Sequence, residues 1–196
     1  MRNRGQSSGV QRRVNVKMIG YLSGMSVACL LIAGTDCRAA EKVERKKAVV
    51  MIESRSDSHL TGKGKFVEED GQVTLKLEIE GAEPGTHAVH LHEKGDCSAP
   101  DAASAGGHWN PSHENHGKWA TAPFHHGDIG NIEVGADGKG TFTLTTNLWT
   151  IGGPAETDVL GKAIIVHAKA DDFTTQPTGN AGGRVGCGVV QAPPKK

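Results

Sequence analysis

Cysteine is scarce in this 196-residue chain, which holds four. Cys29 and Cys37 fall in an N-terminal segment unlike the rest, so only Cys97 and Cys187 belong to the body of the sequence. An excess of charge of one sign is also missing, with 22 basic and 22 acidic residues. No apolar run is long enough for a membrane span: the best, Met18 to Gly34, is 17 residues long, is broken by Gly and Ser, and falls short of the roughly 20 that a spanning helix needs. No window carries a long amphipathic helical pattern, so a helical architecture is excluded.

The N-terminal segment has its own logic. Residues 1–17 contain Arg2, Arg4, Arg12, Arg13 and Lys17 and no acid, the apolar run follows, and small residues close it at Cys37-Arg38-Ala39-Ala40. A basic start, an apolar middle and a small-residue end make a secretory signal peptide, with an uncleaved N-terminal anchor as the alternative. Cleavage is expected after Ala39, giving a signal peptide over 1–39 and one domain over 40–196. The residues before Cys29 and Cys37 do not suit a lipid anchor. Loss of 1–39 removes six of the 22 basic residues and one acid, Asp36, leaving a net charge near −5. Nucleic acid is therefore not expected as a partner, nor is stable membrane association after cleavage. The 157 residues that remain bury roughly 70% of their unfolded surface, enough for one core. An even pair of cysteines in an exported chain reads as a disulfide between Cys97 and Cys187.

Strand signals recur along the mature chain. Val73, Leu75, Leu77 and Ile79 alternate with Thr74, Lys76, Glu78 and Glu80, the period of a strand with one wet face. Further strands are expected over 48–53, 64–69, 88–92, 131–134, 141–145, 163–167 and 185–190. Asp70-Gly71 and Ala136-Asp137-Gly138-Lys139 read as hairpin turns. Many short strands with Gly- and Asp-rich turns describe an all-β sandwich or barrel. Two long segments, 93–130 and 168–183, remain without strand signals, and loops of that length in a compact domain are usually functional.

Histidine concentrates there. Eight of the ten histidines lie between His87 and Asp128, interleaved with Gly, Trp, Phe and Pro rather than in a low-complexity tract. His90 and His92 stand two apart on an expected strand, so their rings point to one face. His108, His116, His125 and Asp128 offer further ligands from the loop, and His167 ends a distant apolar strand. Imidazole suits copper and zinc, and a carboxylate can complete a zinc shell. His59 reads as a surface residue.

At this point five segments, in order, resemble the copper/zinc superoxide dismutase family, over about residues 48–192. They are Gly85-Thr-His-Ala-Val-His-Leu-His-Glu-Lys-Gly-Asp-Cys97, Gly107-His-Trp-Asn-Pro111, His125-His-Gly-Asp-Ile-Gly-Asn131, Ile164-Ile-Val-His-Ala-Lys-Ala-Asp-Asp172 and Gly179-Asn-Ala-Gly-Gly-Arg-Val-Gly-Cys-Gly188. The signal peptide and Lys94-Gly-Asp-Cys97 are similar to the family's bacterial exported branch, periplasmic or secreted. The resemblance implies a Greek-key β-sandwich or flattened barrel of about eight antiparallel strands with two long functional loops. It implies copper held by His90, His92, His108 and His167, and zinc held by His108, His116, His125 and Asp128, with His108 bridging. His125 rather than His126 takes the ligand position, because the motif sets the acid three residues after the ligand. The resemblance further implies that Asp171 links a copper histidine to a zinc histidine, that Arg184 guides the anion, that Cys97 and Cys187 form the family disulfide, and that His87 is structural. His113 and His126 receive no role.

The activity so implied is dismutation of superoxide to oxygen and hydrogen peroxide, with copper alternating between two oxidation states and zinc, which has no redox chemistry, in a structural and electrostatic place. A non-catalytic copper-binding or delivery module is the alternative, but such a module would lack a copper ligand, the bridge or the arginine. Family members include monomers and dimers; the sequence shows no interface signature, and a homodimer is favoured over a monomer. The stretch Thr174-Thr-Gln-Pro177 departs from the family in having no recognisable steering charges, which leaves Arg184, with Lys94 or Lys169, to guide the substrate.

Overall fold

A computed structural model describes residues 45–195; the expected signal peptide lies outside the described residues. Eight strands form: β1 (Lys46–Ser54), β2 (Thr61–Glu69), β3 (Gln72–Glu80), β4 (Gly85–His92), β5 (Gly130–Val134), β6 (Gly140–Thr146), β7 (Ala163–His167) and β8 (Arg184–Val189). They close into an antiparallel barrel in the order β1-β2-β3-β6-β5-β4-β7-β8. Two seams are thin. β5 meets β6 through Val134 and Gly140 alone, and β1 meets β8 only at Glu53 with Cys187 and Ser54 with Gly186. These seams divide the barrel into the two sheets of a flattened sandwich, and the non-sequential pairs β3–β6 and β4–β7 supply the Greek-key crossovers.

The interior follows from alternation. Val73, Leu75, Leu77 and Ile79 of β3 are buried together with Val50 and Ile52 of β1, Phe66 of β2, Ile132 of β5 and Ile164 and Val166 of β7. Val89 and Leu91 of β4 also face this core, so His90 and His92 must face outward. β7 has the same parity: Ile164 and Val166 point in, which places Ala163, Ile165 and His167 on the outer face. The register sets His90 beside Ile165 and His92 beside Ala163, so three histidines share one outer face of two adjacent strands. A smaller apolar cluster of Ala102, Ala105, Ala163, Ile165 and Cys187 packs beneath Cys97, and the Cys97–Cys187 disulfide is formed, 90 residues apart in sequence. A loop of that length is worth roughly 4 to 5 kcal/mol in the chain-entropy account. One contribution to the core has no strand period: the 147–162 connection sends Trp149, Ile151 and Val159 inward.

Candidate metal centre

Two loops cover the outer face of β4 and β7, and backbone hydrogen bonds hold the first of them in place. Leu91 N–H donates to Gly127 O (2.9 Å), Gly127 N–H to Trp109 O (2.9 Å) and Trp109 N–H to Leu91 O (2.8 Å). This three-membered ring ties β4, the turn after His108 and the His125–Asp128 motif together. Gly127 is required by space, since a Cβ there would run into Leu91 O and Trp109 N. A bridge between His92 and His108 completes the attachment.

The rings converge into two groups. Ligand atoms of His90, His92, His108 and His167 lie within 4.8 Å of one another, as do those of His108, His116, His125 and Asp128, and all seven residues are buried. His108 belongs to both groups, with its ring centroid 4.0 Å from that of His90 and 5.3 Å from that of His116.

Each outer ring is oriented by an acceptor on its far nitrogen. His90 Nε2 lies 2.9 Å from Asp171 Oδ2 and His116 Nε2 lies 2.9 Å from Asp171 Oδ1, so one carboxylate joins the two groups. His92 Nδ1 faces Gly106 O at 3.0 Å, His167 Nδ1 faces Gly182 O at 3.3 Å and His125 Nε2 faces Glu114 O at 3.1 Å. Carbonyl oxygens and ionised carboxylates only accept, so in each neutral ring the proton sits on that far nitrogen and the near one is bare. This is the pattern by which a metal-binding histidine is fixed in tautomer and orientation.

The bare nitrogens are then left without partners. Among the described residues the buried unpartnered side-chain atoms are His90 Nδ1, His92 Nε2, His108 Nε2, His116 Nδ1, His167 Nε2 and His126 Nδ1. Five of the six belong to the two groups. Buried polar atoms ordinarily find partners; four orphaned acceptors, on His90, His92, His108 and His167, meet in one group and fit a cation, and the fifth, His116 Nδ1, lies in the other group. The zinc-type group makes the same case. His125 Nδ1 and His116 Nδ1 lie 3.1 and 3.0 Å from Asp128 Oδ1, although neither nitrogen has a proton left to donate when its ring is neutral. The His116 contact also fails hydrogen-bond geometry, since its Nδ1 counts as unpartnered. Bare nitrogens crowded on a carboxylate oxygen need an extra proton or a metal ion between them.

Electrostatics point the same way. Burial, assisted by neighbouring histidines, holds His92 and His167 well below the ordinary imidazole range. Burial also pushes His108 down to about 4, against the opposing effect of its hydrogen bond to Asp128. At His116 burial is outweighed by the close Asp128 carboxylate and by the hydrogen bond and charge of Asp171, which raise it to about 9. In the metal-free chain a proton thus stands on His116 where a cation would otherwise balance Asp128. The carboxyls of Asp128 and Asp171 are held well below their usual range, the histidine contacts outweighing the cost of burial. Asp128 Oδ2 meanwhile accepts from the backbone N–H of His125 (2.8 Å) and Gly117 (3.0 Å), which aims Oδ1 at the rings.

Arg184 opens β8 and pairs with His167 across a register shift. Its guanidinium donates to Ala102 O at 2.7 Å and Gly106 O at 2.8 Å. Gly106 O therefore anchors both Arg184 and His92. The remaining histidines stand apart. Both nitrogens of His87 face carbonyls, those of His167 and Glu83, at 2.8 Å. His126 packs edge-on to Trp109, and His59 and His113 are exposed. Sequence reasoning gave no role to the residues that hold the backbone here: Asn131, whose carboxamide pairs with Asp171, and Gln176, which pairs with His116. Asn131 lies in β5 and Gln176 in an irregular segment, and neither position signals that its carboxamide will pair with a backbone.

The copper/zinc superoxide dismutase (SODC) family model matches residues 60–190. A Cu-Zn superoxide dismutase of Caulobacter vibrioides is 45% identical over 124 residues, covering 61% of this chain and 71% of the relative. One of Deinococcus radiodurans is 41% identical over 144 residues, covering 68% and 78%. Among solved structures, the clock protein EA4 is similar with a TM-score of 0.67 and 34% identity, covering 76% of this chain and 95% of that one. A double mutant of a SOD-like protein from Bacillus subtilis has a TM-score of 0.66 and 34% identity, covering 74% and 97%.

Proposed function

The chain belongs to the copper/zinc superoxide dismutase family, and from that premise we propose how its own residues divide the work of converting superoxide to oxygen and hydrogen peroxide. The observation that carries the assignment is the set of five orphaned, buried ring nitrogens in two groups that share His108. His90 Nδ1, His92 Nε2, His108 Nε2 and His167 Nε2 hold copper. His108 Nδ1, His116 Nδ1, His125 Nδ1 and Asp128 Oδ1 hold zinc. When bound, copper supplies one-electron oxidation of one superoxide and reduction of the next, while zinc supplies fixed charge.

The protein's part is to orient, dock and move protons. Asp171 keeps the Nε2 protons of His90 and His116 on the far side of their rings, so the near nitrogens stay bare. His108 Nε2 faces the copper group and, whenever it is not holding copper, would carry one of the two protons needed for hydrogen peroxide; solvent would supply the other. Arg184 stays charged although burial lowers its pKa, because guanidinium deprotonates only far above neutral pH. It docks the anion next to His92 through their shared anchor at Gly106 O. The disulfide fits an oxidising compartment. Residues 1–39 act as the signal for export to the periplasm or medium, and the mature protein, free of the membrane and of nucleic acid, works as a homodimer. N-terminal sequencing and sedimentation check both points: Ala40 as first residue and twice the chain mass are expected, whereas a retained Met1 or a single-chain mass contradicts them.

Two variants test the metal assignment. His167→Ala, which touches only the copper group, should purify with zinc and without copper. Asp128→Ala should release zinc on dialysis while retaining copper longer. An Asp128→Ala protein that keeps full zinc removes Asp128 from the zinc shell.

A further inference from the structure

The turn Thr174-Thr-Gln-Pro177 has none of the charges that would steer an anion, yet it is built with care. Asp172 Oδ1 accepts from the backbone N–H of Thr174 (2.9 Å) and Thr175 (2.8 Å), and Asp172 Oδ2 accepts from Thr175 Oγ1 (2.6 Å). Gly179 N–H donates to Thr175 O and Asp172 N–H to Gly179 O. This closed turn presents Gln176 to the other loop. His116 N–H donates to Gln176 Oε1 at 2.9 Å, and Gln176 Nε2 donates to His116 O at 2.8 Å. Among the described residues no backbone group pairs with the N–H or C=O of His116; Gln176 takes both.

We propose that Gln176 is a positioning residue for the zinc shell: its carboxamide fixes the backbone of His116 while Asp171 fixes the ring. The inference rests on the reading of His116 as a zinc ligand. Only a carboxamide, in one orientation, offers an acceptor and a donor side by side. The same device recurs at the other end of the link, where Asn131 Nδ2 donates to Asp171 O (3.0 Å) and Asn131 Oδ1 accepts from Asp171 N–H (2.8 Å). Two carboxamides thus clamp the backbones of Asp171 and His116, and the 2.9 Å contact between Asp171 Oδ1 and His116 Nε2 joins what they hold. His116 lies in a loop with no strand pairing, so without Gln176 its position rests on its ring and on the neighbouring Gly117 N–H, which donates to Asp128 Oδ2. A cation–π contact of Lys118 with Phe173 (5.8 Å) also ties the two segments. Because Gln176 is exposed, shortening it opens no cavity in the core.

The test uses the holoenzyme and the variants Gln176→Ala and Gln176→Glu; Glu keeps the length and the acceptor but cannot donate to His116 O. Zinc release to a chelator should be about tenfold faster in Gln176→Ala, equivalent to about 1.4 kcal/mol, and at least as fast in Gln176→Glu. Copper release and the unfolding midpoint of the metal-free protein should stay at parental values. Cobalt placed in the zinc site should show altered visible bands in both variants, a change that loss of general stability does not produce. His116→Ala runs beside them. Parental zinc release and cobalt bands in both Gln176 variants, with zinc absent from His116→Ala, overturn the role of Gln176 alone. So does equal acceleration of copper and zinc loss together with a lower metal-free midpoint. Full zinc in His116→Ala overturns the zinc assignment itself, and this inference with it.

Discussion

Arg184 can be replaced without removing a donor from either metal group, which makes it the residue that separates catalysis from metal binding. Arg184→Ala should keep copper and zinc and lose about tenfold in second-order rate, comparable to roughly 1.4 kcal/mol of transition-state stabilisation. Its rate should also depend less on ionic strength, since less charge is left to screen. Arg184→Lys should regain part of the rate, because charge returns without the planar fork, and Arg184→Glu should be slower than Ala. A rate-against-salt series on metal-checked protein reads this; equal rates and slopes for Arg184→Ala and the parent remove Arg184 from the site. The local charge matters because burial and a shared anchor fix it in place, not because the molecule attracts anions overall: without residues 1–39 the chain is acidic.

At the scale of elements, what was legible in the sequence had a period or a motif. The alternation of β3 told which residues face the core, and Val73, Leu75, Leu77 and Ile79 are buried as expected. The apolar run before His167 gave β7 its bounds, Ala163–His167. All seven ligand candidates were readable because histidine at strand spacing and in family-like motifs is a chemical signal. The 147–162 connection was not legible, because Trp149, Ile151 and Val159 enter the core from irregular backbone. The carboxamides Asn131 and Gln176 escaped for another reason: their work is to satisfy backbone groups whose position only the fold reveals. Gly179 shows how tightly these loops are built. It holds a positive φ of 67°, and a Cβ there would run into the Asp171 carboxylate and the His116 ring. Gly179→Ala should therefore cost about 1–3 kcal/mol in backbone strain and weaken zinc. Thermal unfolding with and without zinc should show the variant losing most of the zinc-dependent gain; a full parental gain contradicts the crowding.

For the whole molecule, two thin seams, one disulfide and two loops leave a buried pair of metal sites on a rigid barrel. Their titration sets how the metal-free protein responds to pH. His90, His92, His108 and His167 have folded pKa values below the ordinary 6.5, chiefly through burial, with His108 at about 4. Between those pH values the unfolded chain binds more protons than the folded one, so stability falls as pH drops from about 6.5 towards 4. His116 is raised to about 9; its contribution is full below about 6.5 and is lost as pH rises through 9. Urea midpoints of metal-free protein should therefore peak near neutrality and fall at pH 4.5 and 9. A midpoint that rises from neutral pH to 4.5 contradicts the burial of neutral histidines.

The two metal groups exist for one reaction, and one measurement reaches it most directly. Superoxide decay is followed on samples whose copper and zinc are counted in the same tube, with zinc full and copper varied. The dismutase account predicts one copper and one zinc per chain at saturation, and a decay rate that rises linearly with copper and extrapolates to the uncatalysed rate at zero copper. A fully loaded protein that leaves the decay of superoxide unchanged would contradict it, and would make the same site a store for copper.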